Sequence, residues 1–300
     1  MRIAVVGIGL MGRPVAQRLV DAGHEVVVHS RRKESAEPVL AAGAAWADSA
    51  AAAGDAAGLA ITFLPDPATV EDAVLGPSGL LAAATPPAVV ADMSTSPPEL
   101  ARRLAAAAAE RGVAALDAPV SGGPMGAAGG TLTIMAGGSD AAFALARPAF
   151  EMLGTPVLIG GPGTGQSVKL VNQLLIGGIA GGIADAWALA GALGLDAEVV
   201  ADVVGRGLGA GPLLEFMWPR LIRGDLAPGF KIDHMIKDLT LALAAGDEQT
   251  LDLAAGRSAR ERYRWLSESG DGDLGTQALY RHAVRARPGT PPIVEEDERP

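Results

Sequence analysis

Val5-Val6-Gly7-Ile8-Gly9-Leu10-Met11-Gly12 closes a short β-branched run and opens an amphipathic one. The residues before it, 3–6, read as a buried strand, and residues 12–22 read as a helix. Between them Gly7 permits a tight turn. Gly9 lets the backbone approach a pyrophosphate, and Gly12 lets helix and strand pack closely. N–H groups at the helix start would face the phosphates. Gly7, Ile8, Gly9, Leu10, Met11 and Gly12 are therefore candidate cofactor-binding residues. In isolation the pattern is only a tight strand-to-helix turn. Its place in a strand–helix–strand unit gives it meaning.

That alternation continues. Residues 26–29, 59–64, 89–93 and 115–118 read as further strands, with helices expected over 34–42, 69–74 and 98–111. This predicts a parallel sheet with helices on both faces. Residues 131–136 and 156–159 read as two more strands. Gly160-Gly161-Pro162-Gly163 then breaks the pattern. Beyond it the sequence turns helical, over 166–193, 197–206, 213–223, 236–245, 252–268 and 275–284. The expected fold is α/β: a Rossmann-type dinucleotide-binding domain over 1–163, followed by an all-α helical domain over 164–286. Residues 287–300 carry Pro288, Pro291, Pro292 and the acidic run Glu295-Glu296-Asp297-Glu298, and read as a disordered tail.

Composition narrows the function. The 300 residues are 49% hydrophobic and 19% charged, which excludes a disordered or fibrous chain. There is no cysteine, so a disulfide framework, a thiolate metal site and a cysteine nucleophile are excluded. His24, His29, His234 and His282 are too scattered to suggest a metal cluster, and no metal is expected. A net charge of −10 disfavours nucleic acid and anionic membrane as partners. Residues 174–195 are nearly all apolar and about long enough to span a bilayer. Asp185 sits mid-run and no basic cluster flanks it, so a helix buried on all sides by protein is the expectation instead. The N-terminus reads as a strand rather than a signal peptide, and a cytoplasmic protein is expected.

The end of the second strand bears on the cofactor. An NAD site places an acidic residue there for the ribose hydroxyls. Here the chain reads Val28-His29-Ser30-Arg31-Arg32-Lys33, with no carboxylate before Glu34. Guanidinium forks and a hydroxyl suit a ribose 2′-phosphate. Ser30, Arg31 and Arg32 are read as that clamp, favouring NADP (NADPH) over NAD. A solvated basic loop is the alternative, though it leaves the missing carboxylate unexplained.

Two segments carry candidate chemistry. Ser121-Gly122-Gly123 offers successive backbone N–H groups and a hydroxyl, a cradle for a carboxylate. Gln166, Lys169, Asn172 and Gln173, three or four residues apart, share one helical face. A lysine among Val168, Leu170 and Val171 would be partly desolvated. That lowers an amine pKa and suits it to proton transfer near neutrality. For Lys169 alone, the alternative is a surface lysine with its stem laid on apolar neighbours.

Together these segments resemble the β-hydroxyacid dehydrogenase family, which includes 3-hydroxyisobutyrate dehydrogenases, tartronate semialdehyde reductases and glyoxylate/succinic semialdehyde reductases. The resemblance runs from Met1 to about residue 285. It rests on the glycine loop continued by Arg13-Pro14-Val15-Ala16, on Leu64-Pro65, on Asp92-Met93-Ser94-Thr95 and on Ser121-Gly122-Gly123. Lys169-Leu170-Val171-Asn172-Gln173, Phe230 and Lys237-Asp238-Leu239 complete it. The resemblance implies that Lys169 is the catalytic acid/base. It implies that Asn172 and Ser121-Gly122-Gly123 bind a substrate carboxylate, with Phe230 also at the substrate and Lys237 near both nicotinamide and substrate. Leu64, Pro65, Thr69, Ser94 and Thr95 would line the cofactor. A small carboxylate-bearing substrate and a homodimer or homotetramer joined through the helical part are implied too. The implied reaction is reversible hydride transfer between NADP(H) and a short β-hydroxy acid or semialdehyde.

Two segments depart from the family pattern, Gly207-Leu208-Gly209-Ala210-Gly211 and Gly246-Asp247-Glu248-Gln249-Thr250, and they bear on the substrate. Imine reductases share the architecture but usually lack a lysine at position 169. The 6-phosphogluconate dehydrogenases carry Lys-x-x-His-Asn, which Lys169-Leu170-Val171-Asn172-Gln173 does not match. A non-enzymatic NADP-binding sensor is the remaining alternative.

Overall fold

A computed structural model describes residues 1–285, so the expected tail over 287–300 lies outside the described residues. The chain divides into two compact units, Met1–Leu170 and the residues from Val171 onward.

In the first unit β1 (Arg2–Val6) leads into α1 (Gly12–Asp21) and β2 (Glu25–His29). Next come α2 (Glu37–Ala41), β3 (Ala45–Trp46), α3 (Ala50–Gly54), β4 (Leu59–Thr62) and α4 (Pro67–Leu75). Then β5 (Val89–Asp92), α5 (Pro98–Ala109) and β6 (Ala114–Asp117) follow. Strands β1 to β6 pair in parallel in the order β3-β2-β1-β4-β5-β6. Their side chains alternate between two cores. Ile3 and Val5 face one with Val26, Val28 and Ile61, while Ala4 and Val6 face the other with Val27, Ala60 and Val90. Burial on both faces is why these strands read as continuous apolar runs.

Beyond β6 the sheet departs from the parallel expectation. The chain reverses through β7 (Val120–Ser121) and α6 (Gly123–Gly129) into β8 (Leu132–Gly138). β8 pairs antiparallel with both β6 and β7. The chain between β6 and β8 is taken up by β7, which itself pairs with β8, and by α6. Helix α7 (Asp140–Leu153) and β9 (Gly154–Gly160) follow, β9 running parallel to β8. α7 is an unexpected helix. Ser139 caps it and Phe150 and Leu153 are fully buried on it, but Pro148 inside it reads locally as a break.

Helix α8 (Thr164–Ala192) starts in the first unit and continues into the second. The second unit then holds α9 (Ala197–Gly205), α10 (Pro212–Ile222), α11 (Ile232–Glu248), α12 (Ala254–Leu266) and α13 (Tyr280–Val284). Its core gathers Trp187, Trp218, Met217, Met235, Leu239 and Tyr263. Trp187 and Trp218 meet edge to face with ring centroids 5.2 Å apart.

Within its own chain, helix α8 is buried on one face. Ala180, Ile183, Ala184 and Trp187 face the core, whereas Val171, Leu175, Ile179, Leu189 and Leu193 are each at least half exposed. Asp185, the lone acid of the apolar run, pairs with the two terminal nitrogens of Arg262 at 2.6 and 3.1 Å. By length and composition alone α8 could cross a membrane, but Ala180, Ile183, Ala184 and Trp187 in that stretch pack into the unit's core.

Candidate active site

Parallel register aligns the carboxyl ends of the central strands. Val6 pairs with Thr62, Thr62 with Asp92, and Asp92 with Asp117. In an open α/β sheet this edge is where ligands bind. The glycine loop leaves β1 there. Gly7 has φ +98° and its N–H donates to the His29 carbonyl at 2.8 Å. A Cβ on Gly7 would collide with the Phe63 carbonyl, and one on Gly12 with the Gly7 carbonyl. Gly9, by contrast, faces open space. Among the described residues no side chain caps α1 at Met11. An open Gly9 over an uncapped helix start fits a dinucleotide pyrophosphate. Ile8 is buried and Leu10 exposed.

Ser30, Arg31 and Arg32 follow directly on β2, with both arginines exposed. Ser30 Oγ accepts from Ser35 Oγ at 3.4 Å, and Ser35 Oγ also donates to the Arg32 carbonyl at 2.6 Å, so the turn is closed on itself. Leu64 N–H donates to Ser94 Oγ at 2.9 Å, which ties the turn after β4 to that after β5. Pro65 is exposed beside it, and Thr95 is half-buried. Thr69 is engaged by Asp66, which accepts from its N–H and its hydroxyl at 2.8 Å each and caps α4.

Lys169 is 6% exposed, which removes the surface-lysine alternative. Its Nζ donates to the Val120 carbonyl at 2.7 Å, immediately before Ser121. A carbonyl accepts from an amine whether it is protonated or neutral, so this contact survives a proton cycle. Ser121 is half-buried, and Gly122 and Gly123 adopt φ +129° and +62°, conformations that favour glycine. The structure thus brings the amine beside the proposed carboxylate cradle.

In the second unit Asn172 Nδ2 donates to Gln173 Oε1 at 3.0 Å, and Gln173 Nε2 donates to Asp238 Oδ2 at 2.6 Å. Asp238 is buried, and its Oδ1 lies 3.0 Å from Lys237 Nζ. A carboxylate can only accept, so it turns the Gln173 amide outward-carbonyl toward Asn172 and fixes both amides. Asn172 and Lys237 are thereby joined in one network. Phe230 stacks edge to face on His234 with centroids 5.9 Å apart. Burial, then the neighbouring Lys237, hold His234 below the usual imidazole range.

Sequence reasoning assigned no role to Asp92, Ser96 or Asp117. Asp92 Oδ1 accepts from Thr62 Oγ1 at 2.7 Å and from Ser94 N–H at 3.0 Å, and its Oδ2 accepts from Ser96 Oγ at 3.0 Å. Asp117 receives Gly163 N–H at 2.7 Å and Gln166 N–H at 2.8 Å. The available signal was that each aspartate ends a buried strand.

Two family models match the chain. One describes the NAD-binding domain of 6-phosphogluconate dehydrogenase and covers residues 2–161. The other describes NAD-binding of NADP-dependent 3-hydroxyisobutyrate dehydrogenase and covers residues 163–283. An NAD-dependent L-serine dehydrogenase of Pseudomonas aeruginosa is 40% identical over 277 residues, covering 90% of this chain and 93% of its own length. A 3-hydroxyisobutyrate dehydrogenase of the same organism is 38% identical over 269 residues, covering 87% and 90%. The solved structure of a Mycobacterium tuberculosis 3-hydroxyisobutyrate dehydrogenase with L-serine superposes with a TM-score of 0.83 at 33% identity, covering 95% and 99%.

Asp117 carries a pH signature. Burial pushes its carboxyl up to about 6, against the opposing pull of the Gly163 and Gln166 N–H groups, and Asp92 nearby adds to the rise. An acid with a raised folded pKa contributes stability that is complete below its unfolded pKa and is lost as pH rises through about 6. Urea unfolding of the wild type, measured against Asp117→Asn, should therefore show a stability difference that falls by about 3 kcal/mol between about pH 4 and pH 7. A difference that stays flat across that window contradicts the assignment.

Proposed function

Because this chain belongs to the β-hydroxyacid dehydrogenase family and is an NAD(P)-dependent hydroxyacid dehydrogenase, we propose that it moves a hydride between NADP(H) and a short β-hydroxy acid or its semialdehyde, with Lys169 transferring the proton. The observation that carries this reading is the buried Lys169 amine bonded to the Val120 carbonyl beside Ser121. The two curated relatives compared above are named for L-serine and 3-hydroxyisobutyrate. Both acids bear a hydroxyl on the carbon β to the carboxylate, which supports the same substrate class here.

A nicotinamide dinucleotide held by the glycine loop would supply the hydride acceptor for oxidation and the hydride donor for reduction. Lys169 accepts the hydroxyl proton as the carbonyl forms, and returns it in reduction as negative charge grows on the carbonyl oxygen. Ser121, Gly122, Gly123 and Asn172 hold the carboxylate, so the reacting carbon and the amine keep a fixed separation. Lys237 and Phe230 complete the substrate contacts, while Leu64, Pro65, Thr69, Ser94 and Thr95 line the cofactor with the glycine loop.

Lys169→Ala should lower kcat by roughly 10²–10⁴-fold while leaving NADPH affinity nearly unchanged. Lys169→Arg should also fail, since a guanidinium does not cycle as a base. Near-normal turnover of a semialdehyde acid by Lys169→Ala would overturn the assignment. Retained turnover of a cyclic imine by that variant would favour imine reduction instead. A protein that binds NADPH yet turns over no acid or imine would be a sensor.

The exposed Arg31 and Arg32, with no acidic residue at the end of β2, support NADP(H) over NAD(H). Replacing both by alanine should cut kcat/KM for NADPH by at least about tenfold and that for NADH far less. Equal kcat/KM for the two cofactors in the wild type would sink the preference.

We also propose a homodimer or larger assembly, with Val171, Leu175, Ile179, Leu189 and Leu193 of α8 inside the shared interface. Light scattering at micromolar concentration should give at least twice the chain mass, and a stable monomer would refute the proposal.

A further inference from the structure

We infer that Asp117 is a positioning residue for Lys169, holding the first turn of α8 against the carboxyl ends of β5 and β6. The inference rests on the proton-transfer role proposed above for Lys169. Asp117 is 4% exposed and spends both carboxylate oxygens on main-chain donors of the α8 start, Oδ1 on Gly163 N–H at 2.7 Å and Oδ2 on Gln166 N–H at 2.8 Å. These are groups that a helix leaves unpaired, and a negative charge is favourable there.

The same turn is gripped from a second side. Gln166 is fully buried. Its Oε1 accepts from Ser96 N–H at 3.0 Å and its Nε2 donates to the Ser94 carbonyl at 2.8 Å. Ser94 and Ser96 are in turn held by Asp92. The main chain itself is pressed close: a Cβ on Gly165 would collide with the Met135 carbonyl. Lys169 lies one turn beyond Gln166 on a rigid helix, about 4.5 Å along its axis. Its Nζ ends on the Val120 carbonyl. The short segment from Asp117 to Val120 therefore grips the helix at its start and receives the lysine at its tip. Moving one end relative to the other would take the amine out of line.

Asparagine is nearly isosteric with aspartate but offers a single acceptor oxygen, so its NH₂ would face one of the two N–H donors. The test compares wild type, Asp117→Asn, Lys169→Ala and the double variant, each with NADPH bound. Competitive acylation read by mass spectrometry reports the exposure of Lys169, with Lys33 as the internal reference. Asp117→Asn should raise Lys169 labelling at least about fivefold. With 3-hydroxyisobutyrate as substrate, it should also lower kcat per NADPH-binding site by about 10²-fold. In the Lys169→Ala background the same change should cost less than about twofold, because the two residues act as one unit. Unchanged Lys169 labelling, or an equal loss in both backgrounds, overturns the inference. If Lys169→Ala alone turned over normally, the proposed function would fall while labelling still decided the positioning. Should Asp117→Asn yield no NADPH-binding protein, Gln166→Leu keeps the bulk and drops the two side-chain ties. Unchanged Lys169 labelling in that variant is equally contradictory.

Discussion

The parallel register of β1, β4, β5 and β6 is the constraint on which the rest depends. It sets Val6, Thr62, Asp92 and Asp117 side by side at one edge of the sheet. Everything assigned to dinucleotide and proton chemistry in the first unit leaves that edge: the glycine loop, the Leu64 and Ser94 turns, the Ser121 cradle and the start of α8. A one-residue slip would turn Asp92 and Asp117 to the other face and undo both clamps at once. Apolar burial on both faces of the strands opposes such a slip, since each strand feeds two separate cores.

Buried polar groups at this edge are arranged so that each finds a partner. Asp92 organises hydroxyls and one N–H, whereas Asp117 accepts main-chain N–H groups only. Burying two neighbouring carboxylates is unfavourable unless they are hydrogen-bonded, and the raised carboxyl of Asp117 reflects that strain. Overall charge points the other way from local function. The chain is acidic, yet Arg31, Arg32 and Lys33 make a compact basic turn at the end of β2, the turn proposed to receive a ribose phosphate.

Much of this was legible in sequence because it is local. The glycine loop, the β-branched runs and the Lys169–Asn172 spacing each lie within a few residues. What escaped depends on pairing across the chain. Asp117 meets Gly163 and Gln166 across 46 and 49 positions, a contact that no spacing rule reveals. The antiparallel β8 followed from a reversal at Gly122 and Gly123 whose direction composition does not encode. α7 was hidden by Pro148, which local propensity counts as a break although the flanking Ala146, Ala149 and Phe150 bury it firmly. The apolar run of α8 was visible, but its division into a buried and an exposed face was not, because Gly and Ala are too evenly spread for a clear period.

The central claim is that the Lys169 amine, fixed beside the Ser121-Gly122-Gly123 turn, meets the reacting oxygen. A crystal structure with NADP⁺ and 3-hydroxyisobutyrate tests it most directly. The account predicts Lys169 Nζ within about 2.6–3.2 Å of the substrate hydroxyl oxygen, with the carboxylate on the Ser121 turn and Asn172. A hydroxyl beyond hydrogen-bond reach of Nζ, or a carboxylate bound by Lys169 itself, would contradict it.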